Sequence, residues 1–367
     1  MSGTAFVISG GTAKGAYAAG LVHELFSTRP KLGKHLRYLS GTSTGSLIVP
    51  ILGLWAVTER RELLDRIPQR YEVDSQEVWK AEPRTITGRL VAGVADSILK
   101  LGTMAALAGH IAETGFGLDT TPLQATIARE YTDELLEELF SLRDKVDVVV
   151  NCVSAQTGKV ESFSSADPRM TAAVYRDAIY ASCLQPIFMP LQRVKHPSNH
   201  HAQEYMDGGI RDVIPVRAAW DRGATRVLAI ALAAPRTEPV KEDFGGRSNL
   251  FKLLFRVMLG LLDQEVADDD IHEARYLATI GRLARHVPAK HLEQELSLLS
   301  KEERDRYLAP ERFDAFCVHR PSPDAGLKED LEWTKDQMVG WVRQGRHAVR
   351  NGEGDRLARF LEGRVDS

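Results

Sequence analysis

The sequence predicts an α/β fold, a sheet layered by helices on both faces, on three observations. Short apolar runs at residues 5–9 (AFVIS), 147–154 (DVVVNCVS) and 225–232 (TRVLAIAL) have the length of buried strands, and the latter two are rich in β-branched residues. Apolar residues recur at helical spacing over residues 122–139 and 170–183, between those runs. Twice, a strand candidate enters a glycine-rich turn that opens a helical pattern.

The first such unit is the run at 5–9, stopped by Gly10 and Gly11 and followed by helical spacing over 14–26. The second is a short strand at 38–40, closed by Gly41, before an apolar helix at 46–55. Residues 80–118 break the rhythm with several glycines and read as an insertion covering a site. A short strand then ends at Asp207. A polar stretch at 235–248 marks a soft boundary near residue 236. Beyond it come charged helices, an apolar segment at 250–262, a strand at 315–319 and a Trp-bearing helix over 329–350. The expected organisation is an α/β unit over 1–235 and a mainly helical region over 236–367, whose 315–319 strand returns to the same core.

A chain of 367 residues with 43% hydrophobic and 26% charged residues has the composition of a globular protein with a sizeable core. A formal net charge of −3, with Lys and Arg dispersed, lacks the basic patch that a nucleic-acid partner requires. Cys152, Cys183 and Cys317 are odd in number, far apart and without CxxC spacing, which argues against disulfides or a zinc site and for a reducing compartment. No secretory signal opens the chain, and no apolar run reaches the roughly 20 residues of a membrane span. The expected location is the cytoplasm, with peripheral contact at a membrane surface.

Gly41-Thr42-Ser43-Thr44-Gly45 fits G-x-S-x-G, the strained strand-to-helix turn that lifts a serine hydroxyl clear of a sheet. An ordinary glycine-rich turn fits the same five residues, but the preceding strand and following helix favour the nucleophile, with the helix amino end aimed at Ser43. An attacking serine needs donors for the oxyanion, and Gly10, Gly11 and Thr12 form a second glycine-rich turn whose amides are candidates. Lys14 precedes Gly15, so this segment fits neither a dinucleotide fingerprint nor a phosphate-binding P-loop. The serine also needs a base. Asp207 stands at a strand end just before Gly208 and Gly209; a plain hairpin fits too, and a carboxylate of pKa about 3.9 acts as base only when held against the hydroxyl in a dry site.

Together, SGGTAKGAY near the start, GTSTG at 41–45 and MDGG at 206–209 resemble the patatin-like phospholipases. GLDTTPL at 117–123, AIYASCLQPIFMP at 178–190 and DGGIRDVIPV at 207–216 extend the resemblance over roughly residues 1–235. It implies a three-layer patatin-like sheet and a lipid acyl hydrolase of phospholipase A or lysophospholipase type, using a serine and aspartate dyad without cofactor or metal. By position, Ser43 resembles the family nucleophile, Asp207 its partner, and Gly10, Gly11 and Thr12 the oxyanion loop. Gly41 and Gly45 shape the elbow, and Lys14, Gly15, Gly208 and Gly209 support the turns. The implied substrate is a membrane phospholipid or other fatty acyl ester. Thr12 stands where the family usually has a third glycine, Lys14 where it has Arg, and Val213 and Ile214 where an Asn is usual.

Two other functions fit parts of the sequence: an α/β-hydrolase esterase with His286 or His319 as base, and a catalytically silent lipid-binding protein. His196, His200 and His201 read as a polar loop rather than a metal cluster, and Cys152 and Cys183 as inert buried thiols. The 250–262 segment fits either a core helix or one lying on lipid.

Overall fold

The computed structural model describes residues 3–81, 118–186, 188–234, 263–283, 314–327 and 333–364, with isolated positions between 286 and 297. Most of the 80–118 insertion, the 235–248 stretch and the apolar 250–262 segment lie outside the described residues. In chain order the strands are β1 (Gly3–Ile8), β2 (Leu36–Thr42), β3 (Lys80–Ala81), β4 (Leu118–Asp119), β5 (Asp147–Ser154), β6 (Val160–Ser164), β7 (Gln192–Val194), β8 (Gln203–Asp207), β9 (Ala224–Ile230) and β10 (Ala315–His319). β3 and β4 form a separate ribbon, and the other eight make one sheet in the order β10-β9-β1-β2-β5-β8-β7, with β6 also on β5.

The half of the sheet built from β10, β9, β1, β2 and β5 is parallel, whereas β6 and β8 run antiparallel to β5. Alternate residues of β1 enter opposite cores. Phe6 and Ile8 pack with the larger apolar cluster, which includes Leu21, Leu52 and Ile179. Ala5 and Val7 pack with Ala219, Ala267 and Ile271 on the other face. The two-residue period of a strand and burial on both faces therefore account for its uninterrupted apolar run.

Among the described residues the helices are α1 (Gly15–Thr28), α2 (Val49–Thr58), α3 (Arg61–Gln69), α4 (Thr121–Glu130), α5 (Asp133–Ser141), α6 (Ala172–Ser182), α7 (Val216–Trp220), α8 (Asp263–Leu283), α9 (Lys335–Ala348) and α10 (Gly354–Leu361). Two expected boundaries change. The single helix read over 122–139 is two, α4 and α5, because Thr132 caps α5 by accepting the Leu135 N–H at 3.4 Å, and Asp133 and Glu134 follow in its first turn. The helix read from 329 begins at Lys335, where Thr334 and Gln337 form a reciprocal capping box. Residues 328–332 lie outside the described residues.

β10 runs parallel to β9 at the sheet edge, and α9 lies directly on α1. The crossing is so close that a Cβ at Gly345 would sit 2.0 Å from the Tyr17 carbonyl oxygen. His319, at the end of β10, meets Tyr17 Oη through Nε2 at 2.9 Å and Glu353 through Nδ1 at 3.0 Å. A bond from His319 leads the causes that hold the Glu353 carboxyl down to about 2.

Candidate active site

Sheet register explains how the site comes together. β2 pairs with β5 up to Thr42 opposite Asn151, and β8 pairs with β5 from Asp207 opposite Cys152. β6 occupies the other edge of β5 over both stretches, so β2 and β8 share one edge. They run toward each other and end on consecutive β5 residues. Ser43, next after Thr42, and Asp207 thus emerge at one point from segments far apart in sequence.

Ser43 opens a 3-10 turn (Ser43–Leu47) with φ of 53° and is 4% exposed. A left-handed conformation in a non-glycine residue costs about 1–2 kcal/mol and persists only where the surroundings enforce it. Here they hold both backbone groups: the Ser43 N–H donates to Ser182 Oγ at 2.9 Å, and its carbonyl accepts from Ser46 Oγ at 2.5 Å. Ser182 Oγ in turn donates to the Asn151 carbonyl at 2.7 Å, fastening the elbow to β5. Gly41 and Gly45 are required by contact, since a Cβ on Gly41 would lie 2.6 Å from Gly45 backbone atoms and one on Gly45 2.2 Å from the Ile8 carbonyl oxygen. The 3-10 turn that Ser43 opens leads into α2, which starts at Val49.

Asp207, 1% exposed, has both carboxylate oxygens engaged. Oδ1 accepts the Gly209 N–H at 2.8 Å, which caps the Gly208–Ile210 turn, and Oδ2 accepts from Gln185 Nε2 at 2.6 Å. Gly208 lies against β5, where a Cβ would come within 2.6 Å of the Asn151 carbonyl oxygen.

The loop after β1 lies against the elbow, with the Cβ position of Gly10 3.4 Å from Ser43 Cβ. The Gly10 N–H donates to the Val213 carbonyl at 3.0 Å. That bond ties the loop to the segment following Asp207. Gly11 and Thr12 stand at the start of the Thr12–Lys14 3-10 turn, where N–H groups lack intrahelical partners. Thr12 has φ of 49°, so the position does demand the conformation a glycine adopts freely. Lys14 is buried and its N–H donates to the Gly11 carbonyl, closing the turn, while Gly15 starts α1 against Thr44.

A cavity of 670 Å³ opens at Ser43 and Thr12. Gln185 and Cys183 line it beside them, and Leu47, Trp79, Leu123, Ile127, Met189 and Trp333 give it apolar walls. Ser182, Cys183 and Gln185 all fall within the 178–190 stretch, whose roles were not legible from sequence. The Cys152 thiol is raised by burial and the Asp207 charge; the same causes push Cys183 up to about 12, so neither is an activated nucleophile.

His319 has both ring nitrogens engaged by Tyr17 and Glu353, and His286 is exposed. His196 packs on Phe163 and hydrogen-bonds the Ser162 carbonyl and Ser198 N–H. Among the described residues no group of three or more His, Cys, Asp or Glu is placed to hold a metal ion, and no helix is long and apolar enough to cross a membrane.

A family model described as "Patatin-like phospholipase" matches residues 6–220. No curated protein matches the chain. Among solved structures, VipD from Legionella pneumophila aligns at 13% identity and a TM-score of 0.39, with 99% of this chain and 67% of that one covered. ExoU from Pseudomonas aeruginosa, in complex with SpcU, aligns at 13% identity and a TM-score of 0.27, covering 100% and 75%.

Proposed function

Because the chain belongs to the patatin-like phospholipase family, a family of lipid acyl hydrolases, we propose that Ser43 and Asp207 form its catalytic dyad and that it cleaves fatty acyl esters of membrane phospholipids or lysophospholipids. The observation that carries this reading is the meeting of β2 and β8 on consecutive residues of β5, beside a loop with amides for an oxyanion.

In this mechanism Asp207 takes the hydroxyl proton as Ser43 Oγ attacks the ester carbonyl carbon. The Gly11 and Thr12 amides hold the negative oxygen of the tetrahedral intermediate. Its collapse breaks the bond to the alcohol, which leaves with the proton from Asp207. Water, losing a proton to Asp207, then attacks the acyl-serine, and collapse of the second tetrahedral intermediate breaks the bond to Ser43 Oγ, which recovers that proton from Asp207 as the fatty acid leaves. Gln185 and the Gly209 amide are positioning groups, fixing the carboxylate while burial keeps water from competing for it. The apolar cavity supports an acyl chain as the group bound beside Ser43.

β10 alongside β9 and α9 against α1 support reading residues 236–367 as an extension of the same core rather than a free-standing domain. Hydrolysis of a medium-chain p-nitrophenyl ester tests the function. Ser43→Ala is expected to reduce turnover at least about a thousandfold, the scale of losing the nucleophile in a serine hydrolase, and unchanged turnover defeats the proposal.

A further inference from the structure

The cavity wall is apolar over one part and cationic over another. Arg66, Arg70, Arg129 and Lys80 line it against the carboxylates of Glu77 and Glu130. At its centre two guanidiniums share one carboxylate oxygen. Arg66 Nη2 lies 2.9 Å from Glu130 Oε2, and Arg70 reaches the same oxygen through Nη2 at 3.0 Å and Nε at 3.1 Å.

The two arginines differ in what they have left to offer. Arg70 is 10% exposed and uses all three nitrogens, its Nη1 donating to Tyr131 Oη at 2.6 Å and to the Leu47 carbonyl at 3.3 Å. Its guanidinium also sits 4.7 Å over the Tyr131 ring. It anchors the end of α3 to α4. Arg66 is 36% exposed, and its described hydrogen bonds, to the Glu130 carboxylate and carbonyl, both run through Nη2. Nε and Nη1 therefore remain as donors on a side chain that lines the cavity. Burial, the largest influence on Glu130, pushes its carboxyl up, yet the bond from Arg66 and the charge of Arg70 together hold it below its ordinary value. Arg129 Nε also lies 3.5 Å from Glu130 Oε1, so one ionised carboxylate among three guanidiniums leaves uncompensated positive charge.

We propose that Arg66 binds an anionic phosphate oxygen on the alcohol side of the ester, so that the site selects acyl esters with net-anionic phosphate headgroups over zwitterionic choline ones. This rests on the hydrolase reading. A guanidinium presents a planar fork that suits two phosphate oxygens, and its fixed charge repels a choline ammonium brought into the same cavity. Glu130 holds the Arg66 side chain at the wall until the ligand oxygens take up its remaining donors. A fatty-acid carboxylate offers similar oxygen chemistry, so the test separates the two.

The experiment measures fatty-acid release from phosphatidylglycerol, phosphatidylcholine and diacylglycerol of one chain length, each at the same low mole fraction in neutral detergent micelles. The wild-type protein is expected to prefer phosphatidylglycerol to phosphatidylcholine. Arg66→Gln is expected to lower the ratio of kcat/KM for phosphatidylglycerol to that for diacylglycerol at least about tenfold, or about 1.4 kcal/mol, chiefly through KM. Arg66→Lys, which keeps the charge and loses the fork, should recover part of that ratio. An unchanged ratio in Arg66→Gln overturns the assignment. Competition on the wild-type chain, independent of any variant's folding, gives the second readout: glycerol 3-phosphate should inhibit diacylglycerol hydrolysis competitively and hexanoate should not. Inhibition by hexanoate alone, or by neither, overturns it as well. Turnover of diacylglycerol without headgroup selectivity defeats this inference and leaves the hydrolase reading standing, whereas no turnover of any ester defeats both.

Discussion

Thr42 and Asp207 face neighbouring residues of the same strand, Asn151 and Cys152, although 165 positions separate them in the chain. Parallel pairing brings β2 to that point from one side and antiparallel pairing brings β8 from the other. The elbow serine and the aspartate therefore owe their proximity to backbone register, which is stiff, rather than to flexible side chains.

Gln185 completes the carboxylate's setting with a 2.6 Å bond to Asp207 Oδ2. A hydrogen bond to a charged group contributes about 1.5–3 kcal/mol, so Gln185→Leu should lower kcat by roughly 10- to 100-fold with little change in KM. Steady-state kinetics on a soluble ester checks this. A rise in KM at constant kcat would assign Gln185 to substrate binding instead.

Ser182 is the clamp on the strained elbow. Ser182→Ala removes the acceptor of the Ser43 N–H and the donor to Asn151, and should cost about 1–3 kcal/mol in unfolding free energy together with a fall in kcat. Urea unfolding beside activity measurements tests the pairing of these losses. Full activity in a destabilised variant would show that the elbow holds its shape without the clamp.

Thr12 adopts φ of 49°, and the proposed mechanism uses its amide rather than its side chain. Thr12→Gly relieves the backbone but loosens the unfolded chain, so stability should shift by less than about 1 kcal/mol and activity should persist. Thr12→Pro removes the N–H and imposes a φ of about −65°, and should abolish turnover. Equal activity in the two variants would remove Thr12 from the oxyanion loop.

Asp270 of α8 accepts the Ile214 N–H at 2.8 Å, close behind the Asp207 turn. Burial and the charge of Asp212 raise its carboxyl above the ordinary range, and Glu273 adds to this; Asp212 is itself raised by burial and by Glu273, against the opposing charge of Arg217. The sign follows from linkage: the folded state binds protons that the unfolded chain has already released. Stability from this pair is therefore fully present below the unfolded carboxylate range, near pH 4, and declines as pH rises toward and past neutrality. Asp270→Asn keeps an acceptor for Ile214 and should flatten that decline. Thermal unfolding across pH 4 to 9 reads it, and an identical slope in the variant would contradict the assignment.

The parallel half of the fold was legible in sequence because buried strands announce themselves as continuous apolar runs, as residues 147–154 and 225–232 do. The elbow and the Asp207 turn were legible because their glycines are forced by backbone contacts of 2.6 Å or less at Gly41, Gly45 and Gly208. β6 and β7 escaped notice: they are short, and β6 is mostly only half-buried, so neither carries a clear apolar period. The break between α4 and α5 was hidden by helical spacing that continues through Tyr131 and Thr132. Ser182, Gln185 and Arg66 were illegible for a different reason. Their roles depend on which side chains tertiary packing brings near Ser43 and its cavity, and no local pattern encodes that.

The claim at the centre, that Ser43 is a nucleophile activated by Asp207, is tested most directly by locating the adduct of a fluorophosphonate probe by mass spectrometry. The predicted result is a single adduct on Ser43 in the wild-type protein, and labelling slowed at least about a hundredfold in Asp207→Asn. An adduct on another residue, no adduct at all, or equal labelling of Asp207→Asn would contradict it.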